Sequence, residues 1–543
     1  MQQLSGMDGM FLSVDTSTSS GVMGGMIVYE RPDDPEAGSR ARMIDRITER
    51  LDHLPPLRWV LTRVPLHLDK EYWAETEVDV PAHVISYSVN GQGTDRDLAA
   101  LVSELMTQPM DKSRPLWDLA VIDGLEGGRI VHLLRIHHGV IDGSSVPLVL
   151  DLLSDNPTVE PDPADRPRLR HEPGLGKAEM LARGVVGSAT RPVRFLGLQF
   201  ETAKFLARRV PVEGTLVLPA FVARLIPGTL GAPLRGVINL RQRLWRKPAV
   251  RPILPQLRKP ATPFNKTITA KRTFAFSDLP LGEVKALGKA YGVSLNDIVV
   301  AICAGALRRY LEDNGGIPDE PLVVCVPYSL RTGAEKHRWA NHISMFFAPL
   351  PTHLADPVAR LGAVHADLLA ARENFDALPK DLIRDAYRFI PQAVFSVSQQ
   401  LLSKAPDWIP GSSWNVVVSN VRGPSHTVEV TGARMTGYWP AAFLTTGVGL
   451  NITLQSYRDR IDFGFMGAAD LTGDLWEMPR YMNEALAELE AAAPTPLRPA
   501  RSAPTGASAQ TTATAQTTAT AQTAQPSAPT PRRRRNGARA VTS

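Results

Sequence analysis

The chain has 543 residues, of which 43% are hydrophobic and 21% are charged, so it is neither wholly disordered nor small enough for a single core. Its only two cysteines, Cys303 and Cys325, lie in apolar runs, which excludes a disulfide scaffold and predicts two core residues in a reducing compartment. The start "MQQLSGMDGMFLSVD" has no basic segment followed by an apolar core, and no apolar run approaches the roughly 20 residues that span a bilayer. We therefore expect neither a signal peptide nor a transmembrane helix.

The charge is unevenly distributed along the chain. The net charge is +5, but residues 166–272 contain 22 Lys and Arg against 4 Asp and Glu, and residues 497–543 contain 7 Arg and no acid. The rest of the chain is therefore acidic. A basic segment within an acidic body predicts an anionic partner, which is a phosphate, a lipid headgroup or nucleic acid.

Residues 1–155 are predicted to form an α/β unit. Apolar residues recur every three or four positions in "MIDRITERLDHL" and "DLAALVSELM", which predicts two helices. The runs "PLWDLAVIDGL" and "IVHLLRIHH" flank the glycine turn "EGGR" and predict a β-hairpin. This places His138 at the end of a buried strand, before a loop and the short helix "SSVPLVLDLLSD".

The remaining chain divides into three predicted segments. Residues 156–265 form a long basic crossover, in which "RPVRFLGLQFETAKFLARR" predicts an amphipathic helix that either packs on a lobe or lies on an anionic membrane. Residues 266–493 form a second α/β unit that begins at "TITAKRTFAFSDLPL", with the helix "LNDIVVAICAGALRRYLED" and strands at "PLVVCVPYSL", "WNVVVSN" and "GVGLNITLQSYRDRIDFGFMG". Residues 494–543 are of low complexity and are predicted to be disordered.

The stretch "RIHHGVIDGSS", residues 135–145, contains the candidate catalytic residues. One possibility is a Ser-His-Asp arrangement with Asp142 and Ser144 or Ser145, although these serines lack the Gly-x-Ser-x-Gly turn. A second is a histidine that directly deprotonates a substrate hydroxyl or amine, which then attacks an acyl donor. Adjacent strand histidines point to opposite faces, so a shared metal ion is disfavoured, and the remaining interpretation is a pair of core histidines.

The wider motif pattern resembles a known family. "HHGVIDG" matches His-His-x-x-x-Asp-Gly, the signature of acyl-CoA-dependent acyltransferases related to chloramphenicol acetyltransferase and of peptide-synthetase condensation domains. It is accompanied, in chain order, by "LSGMDGMFLSVDT", "RPLW", "SLND", "VPYSLR" and "NVVVSNVRGP". Together these motifs resemble the bacterial wax ester synthase/diacylglycerol acyltransferase family, most closely its actinobacterial triacylglycerol synthase branch, over residues 3–490.

The resemblance implies a role for each matching residue. His138 is the catalytic base, His137 supports it, Asp142 is structural and bonded to a distant basic side chain, and Asn296 helps to polarise the thioester carbonyl. The substrate-binding residues that it implies are Trp117, Gly143, Asp297, Asn415, Ser419 and Asn420. Three of these assignments have an alternative: a core position for the tryptophan, a helix cap for the "SLND" asparagine, and simple turn positions for the two asparagines of "NVVVSN".

The fold that the resemblance implies consists of two chloramphenicol-acetyltransferase-like α/β lobes with an active-site tunnel at their interface, joined by the long basic helical crossover. The expected substrates are acyl-CoA and either diacylglycerol or a long-chain alcohol, with no cofactor and no metal. No nucleic-acid reading motif accompanies the basic charge, so we expect a cytoplasmic protein, peripheral at the inner membrane face or on lipid droplets through residues 166–259. The alternatives are a condensation-type transferase that uses a carrier-bound thioester and a non-catalytic droplet-binding protein.

The sequence departs from the family pattern at three places. Asp15 stands where a glutamate is usual, Ala340 precedes Asn341 where a Gly-Asn pair is usual, and Tyr328 occupies a position that is more often small. The tyrosine adds bulk beside the expected channel, so the preferred acyl chain and acceptor stay open.

Overall fold

Two six-stranded mixed sheets form the framework of the described part of the chain, with a small three-stranded sheet beside them. The structure is a computed structural model, and it describes residues 1–65, 70–159, 176, 178–183, 186, 259–329, 339, 341, 343–376, 392–404 and 412–494. The strands are β1 (Gln2–Gln3), β2 (Val22–Tyr29), β3 (Trp59–Thr62), β4 (Tyr72–Glu75), β5 (Val84–Ser88), β6 (Trp117–Asp123), β7 (Ile130–His137), β8 (Arg272–Pro280), β9 (Leu322–Ser329), β10 (Ile343–Leu350), β11 (Val416–Arg422), β12 (Glu429–Val430), β13 (Ala433–Ala441), β14 (Leu450–Tyr457) and β15 (Arg460–Ala468).

The α-helices of the described residues pack on these sheets. They are α1 (Gly6–Ser13), α2 (Arg40–Arg50), α3 (Val80–His83), α4 (Asp95–Thr107), α5 (Val146–Leu153), α6 (Leu281–Tyr291), α7 (Leu295–Asp313), α8 (Pro357–Asp376), α9 (Gln392–Leu402), α10 (Ala469–Thr472) and α11 (Met478–Ala491). The helices predicted at α2, α4, α5 and α7 are confirmed. The mixed α/β class and the two lobes are confirmed as well.

The first lobe is built on the sheet β12-β13-β2-β7-β6-β5. Strands β6 and β7 form the predicted antiparallel hairpin, with Trp117 opposite Ile136. Its turn contains Gly127 and Gly128 at φ values of 71° and 66°, a left-handed conformation that favours glycine. The apolar faces of α2 and α5 cover one side of the sheet, and α4 covers the other. The hairpin therefore places the doubled histidine at the C-terminal end of β7, an interior strand of a well-packed sheet.

The second lobe is built on the sheet β10-β9-β11-β14-β15-β8. Its central helix α7 is buried along most of its length, because both α8 and α11 pack against it. The helix begins with a capping box, in which the Ser294 hydroxyl accepts from the Asp297 N–H (3.2 Å) and the Asp297 carboxylate accepts from the Ser294 N–H (2.9 Å). Ser294 is thus the N-cap, and the interpretation of Asn296 as the cap is wrong.

A strand from the C-terminal half of the chain completes the first lobe. Strand β13 pairs antiparallel with β2, with Tyr438 opposite Ile27, and with the short strand β12 on its other side, although β11 and β14, which flank β12 and β13 in the chain, belong to the second sheet. The sequence predicts no strand at this position. Phe274 and Met466 of the second lobe also lie in the same core cluster as α4, so the two lobes are interlocked rather than merely adjacent.

Several predictions lie outside the described residues or concern the membrane. The amphipathic segment of the basic crossover and the tail from residue 495 onwards are both outside them. Within the described part of the chain, no single helix is long and apolar enough to span a membrane. One pair, α6 with α7, bent by 104°, would be long and apolar enough by length and composition only.

Cys303 and Cys325 are 0% and 1% exposed, which confirms both as core residues.

Candidate active site

The doubled histidine lies where the first lobe meets the second. His137 is the last residue of β7, and His138 enters the turn that follows, with its main-chain N–H donating to the Gly21 carbonyl at 2.8 Å. The Val140 N–H returns to the His137 carbonyl at 2.8 Å and closes this turn. The two imidazoles therefore stand on a rigid strand end rather than on a free loop.

Both ring nitrogens of His137 are already engaged. Its Nε2 lies 3.2 Å from each carboxylate oxygen of Asp15, and its Nδ1 accepts the Gly139 N–H at 3.0 Å. These partners assign the proton to Nε2. The ring is 1% exposed, and a Cβ on Gly21 would come within 2.9 Å of it. His137 thus has a structural position, with no free lone pair for a substrate.

Asp15 holds His137 from the opposite side. Its carboxylate also receives the Gly21 N–H and the Lys112 ammonium, each at 2.7 Å. Burial alone would raise the pKa of Asp15, but its contacts with His137 and Lys112 outweigh burial and hold the pKa below the ordinary value. Although Asp15 is shorter than the glutamate that is usual in the family, it reaches the ring as an ionised carboxylate.

His138 has a different environment from its neighbour. Its ring stacks on Phe11 with centroids 3.9 Å apart and meets Phe443 edge to face at 5.6 Å. Its Nδ1 is buried and makes no hydrogen bond to another described residue. Burial lowers the pKa of His138 to about 4, and the negative charge of Asp142 only partly opposes this effect. The imidazole is therefore neutral near pH 7 and retains a lone pair.

An apolar cluster with contributions from both lobes surrounds His138, and we call it the interface cluster. It consists of Met7, Met10, Phe11, Tyr328, Ile343, Phe346 and Phe443. Such surroundings suit an acyl chain and weaken the hydration of any charge that forms in the site. Tyr328, the bulky departure from the family pattern, belongs to this cluster and packs against Met7 and Phe11 of α1.

The loop after the histidines is tied down by Asp142. This residue is fully buried, and its Oδ1 accepts the hydroxyls of Ser144 (2.7 Å) and Ser145 (2.9 Å). Both serines thus donate to the aspartate, which argues against either of them as a histidine-activated nucleophile. Gly143 opens the short turn Gly143–Ser145 and lies against Val421 of β11, so the loop also contacts the second lobe.

The structure brings two of the predicted motifs together in the second lobe. Asn420 Nδ2 donates to Asn296 Oδ1 at 3.4 Å, which joins the start of α7 to the end of β11. Asn296 is half-buried, and its side chain takes no part in the helix cap. Ser419 is half-buried on β11, where it pairs with Thr453 of β14. The Asn296 amide is therefore held by a neighbour and partly accessible.

Asp297 and Asn415, both predicted to bind substrate, have their polar atoms engaged by the protein. Asp297 completes the helix cap and accepts from His365 Nδ1 at 2.9 Å. The Asn415 amide donates to the Pro260 carbonyl (2.9 Å) and to Asn265 (2.6 Å), and its oxygen accepts the Val323 N–H (2.9 Å). Structural roles account for both side chains.

Trp117 lies in the core of the first lobe. It is 1% exposed, its Nε1 donates to the Leu57 carbonyl at 2.8 Å, and its ring stacks on His83 with centroids 4.4 Å apart. It also lines a small apolar cavity between the sheet and the helices α2 and α5. The alternative of a core position thus fits this tryptophan.

Sequence reasoning missed three residues near the doubled histidine, of which two contact His138 and one, Lys112, contacts Asp15. Phe11 lies in the opening motif but was not assigned to the site, Lys112 has no motif, and Asn341 was noted only as part of a departure. Asn341 Nδ2 donates to the main-chain carbonyl of His138 at 2.7 Å from a segment 203 residues away. Among the described residues, no three His, Cys, Asp or Glu side chains gather as metal ligands.

The low pKa of His138 predicts an unusual pH dependence. A lowered pKa leaves the neutral, basic form fully present above about pH 5, and this form is lost only as the pH falls through about 4. We therefore expect kcat/KM for acyl transfer to be nearly constant between about pH 6 and 8. A pH–rate profile checks this, and an acid limb centred near 6.5, the value of an exposed histidine, would contradict the buried, neutral base.

Comparison with known proteins identifies the same family as the sequence motifs. Residues 4–299 match the wax ester synthase/diacylglycerol acyltransferase catalytic domain, and residues 339–490 match the C-terminal domain of that family. A Mycobacterium tuberculosis protein (strain ATCC 25618 / H37Rv), named as a candidate diacylglycerol O-acyltransferase, is 31% identical over 505 residues, which cover 90% of this chain and 99% of the relative. A Mycobacterium bovis protein with a similar name is 29% identical over 500 residues, covering 91% and 100%.

Solved structures share the fold at lower identity. The wax ester synthase/diacylglycerol acyltransferase from Marinobacter aquaeolei VT8 has a TM-score of 0.59 at 23% identity, covering 91% of this chain and 100% of that one. The first condensation domain of the calcium-dependent antibiotic synthetase has a TM-score of 0.51 at 14% identity, covering 90% and 97%. The fold is thus shared with a wax ester synthase/diacylglycerol acyltransferase and with a condensation domain.

Proposed function

Because the chain belongs to the wax ester synthase/diacylglycerol acyltransferase family, an acyltransferase family of triacylglycerol and wax ester synthesis, we propose that His138 is the general base of its acyl transfer. The observation that carries this proposal is the contrast within the histidine pair. Both nitrogens of His137 are engaged, whereas His138 is neutral, has an unpaired nitrogen and lies within the interface cluster.

The proposed reaction joins a long-chain acyl-CoA to the hydroxyl of diacylglycerol or of a long-chain alcohol. His138 takes the hydroxyl proton while the oxygen attacks the thioester carbon. The amide of Asn296 donates to the oxyanion that forms, and the C–S bond then breaks. The protonated His138 returns its proton to the leaving thiolate. Every proton and electron pair is accounted for, so this route needs no metal and no redox cofactor.

The rate enhancement has several sources. A general base contributes about 10²–10⁴, and one oxyanion donor about 10²–10³. The remainder comes from holding two lipid substrates in line within the apolar site between the lobes. Rigid placement of His138 at the end of β7 is therefore as important as its basicity.

The test of this function uses purified protein with palmitoyl-CoA. Diacylglycerol and hexadecanol are offered in parallel, with the release of CoA thiol and the ester product both followed. We expect ester formation with at least one acceptor. Absence of turnover with both, by a folded protein that still binds lipid, would instead favour a non-catalytic droplet-binding protein.

The shared fold makes a condensation-type reaction the second candidate. Such an enzyme would take its acyl group from a carrier-bound thioester and transfer it to an amine. Offering palmitoyl-CoA and a carrier-bound palmitoyl thioester at equal concentration separates the two. Preference for the carrier thioester would overturn the assignment of acyl-CoA as the donor.

We also propose that the basic crossover, residues 166–259, holds the enzyme at the cytoplasmic face of the membrane or on lipid droplets. The charge of this segment supports the proposal, since each basic residue near an anionic surface contributes about 1 kcal/mol. Both substrates are lipids that partition into such surfaces, so surface binding raises their local concentration.

Charge reversal in the crossover tests the membrane proposal. Replacing Arg194, Lys204, Arg208 and Arg209 with Glu should weaken binding to anionic vesicles strongly and leave activity on detergent-dispersed substrate unchanged. Co-sedimentation at low and high salt measures the binding, which should be salt-sensitive in the wild type. The matched control reverses the four consecutive arginines 532–535 of the tail and should retain most of the binding. Equal losses in the two variants would contradict the crossover as the contact.

A further inference from the structure

Asn341 connects three parts of the molecule at the candidate base. Its Nδ2 donates to Asp8 Oδ1 in the first turn of α1 (2.8 Å) and to the main-chain carbonyl of His138 (2.7 Å). The asparagine is 7% exposed and precedes β10 of the second lobe, whereas both of its acceptors belong to the first lobe. One amide group thus ties the catalytic turn and α1 to the opposite lobe.

Asp8 is a firm anchor for this amide. It is 6% exposed, and its other oxygen accepts the Ser5 N–H at 2.8 Å as part of the capping box that starts α1. The same helix carries Phe11, on which the His138 ring stacks. The opening motif "LSGMDGMFL" therefore makes two contacts at the site. Phe11 stacks on the His138 imidazole, and Asp8 accepts a hydrogen bond from Asn341.

Two buried polar atoms stay unpaired at this contact. Asn341 Oδ1 and His138 Nδ1 are both inaccessible, and neither has a hydrogen-bond partner in another described residue. An unpaired buried polar group is unfavourable, and an amide oxygen is the natural acceptor for an imidazole N–H. Contact with the Asn341 side chain also raises the pKa of His138, against the effect of burial, as expected for an acceptor near the ring.

We propose that Asn341 is a positioning residue for His138. Its N–H holds the main-chain carbonyl of His138, and its oxygen receives the Nδ1 proton, so that the lone pair of Nε2 faces the acceptor hydroxyl. When the imidazolium forms, this Nδ1–H bond becomes charge-assisted and strengthens. The inference rests on the proposed role of His138 as base, and it adds that the second lobe sets the tautomer of that base.

The first test replaces Asn341 with alanine and with aspartate. Because the lost contact strengthens in the transition state, Asn341→Ala should lower kcat by roughly 10- to 100-fold, with KM for palmitoyl-CoA changed less than about twofold. Asn341→Asp places a negative charge beside the ring and should move the acid limb of kcat/KM to higher pH. A role limited to stability predicts neither the kcat loss nor the shifted limb.

An exchange variant separates positioning from simple attachment of the lobes. Asp8→Asn combined with Asn341→Asp restores an amide–carboxylate hydrogen bond between positions 8 and 341, but the new carboxylate cannot donate to the His138 carbonyl. We expect the melting temperature to recover and kcat to stay low. Recovery of kcat to the wild-type value would overturn the inference. This variant also supplies the measurement if Asn341→Ala does not fold.

The matched control removes another buried contact between the lobes. The Tyr457 hydroxyl, 1% exposed, joins β14 to β13 by donating to the Met435 carbonyl at 3.0 Å, and it has no contact with His138. Tyr457→Phe should lower the melting temperature while leaving kcat and the pH limb unchanged. If the Asn341 variants behave like this control, Asn341 only attaches the lobes and the inference fails. The proposed function is judged separately, by whether the wild-type protein forms ester.

Discussion

Replacing His138 with alanine is expected to lower the release of CoA thiol by about 10²–10⁴-fold and to leave the protein folded. The ring is packed between Phe11 and Phe443 within the interface cluster rather than inside the core of either sheet. Its loss removes the one histidine of the pair whose ring nitrogens are not both engaged by other described residues. Thiol release with palmitoyl-CoA and diacylglycerol measures the effect.

His137→Ala is the informative comparison for this prediction. His137 contacts Asp15 and the Gly139 N–H, so its removal disturbs the turn that presents His138 but leaves the proposed base in place. We expect a stability loss and partial activity. Circular dichroism and thermal melting on both variants separate folding from catalysis. If His137→Ala is the less active of two folded variants, the assignment of the base is wrong.

Asn296→Ala is expected to lower kcat by about 10²-fold with little change in the affinity for acyl-CoA. An oxyanion donor acts mainly on charge that develops in the transition state, so its loss appears in kcat. The structure sharpens this prediction, because the cap of α7 belongs to Ser294 and not to Asn296. Little stability should therefore be lost with the asparagine.

Ser294→Ala, two residues before Asn296, provides the matched control. Losing the N-cap hydroxyl should cost about 1 kcal/mol of stability. The same substitution should leave kcat close to the wild-type value. A denaturant melt and a steady-state assay on the two variants give opposite patterns if Asn296 is the donor. A purely thermal effect of Asn296→Ala would contradict its catalytic role.

Local patterns made most of the framework predictable from the sequence. The hairpin β6–β7 follows from alternating apolar residues on either side of two glycines, and α7 follows from a long periodic apolar run. The doubled histidine could be located because it ends such a strand. In each case the signal lies within about 20 neighbouring residues, so no knowledge of distant contacts is needed.

Contacts between distant residues were not predictable in this way. Asn341 reaches His138 across 203 residues, and β13 pairs with β2, which precedes it by about 400 residues. Asn415 was expected to bind substrate, but its amide is engaged by the protein. From sequence alone, an asparagine beside a strand that binds a ligand cannot be distinguished from one that hydrogen-bonds to the main chain. Asp297 is different, because Ser-x-x-Asp before an apolar run is itself a capping-box signature.

The late strand β13 has a consequence for how the protein is made. Strand β2 is buried along its whole length, yet its neighbour β13 ends at Ala441, so the edge of β2 stays open while about 400 further residues are translated. At roughly 5–20 residues per second this takes on the order of 20–80 s. Because an apolar, unpaired strand edge promotes aggregation, we expect chaperones to protect the nascent chain during that interval. A chain that stops before Ala433, where β13 begins, leaves this edge of β2 without its partner.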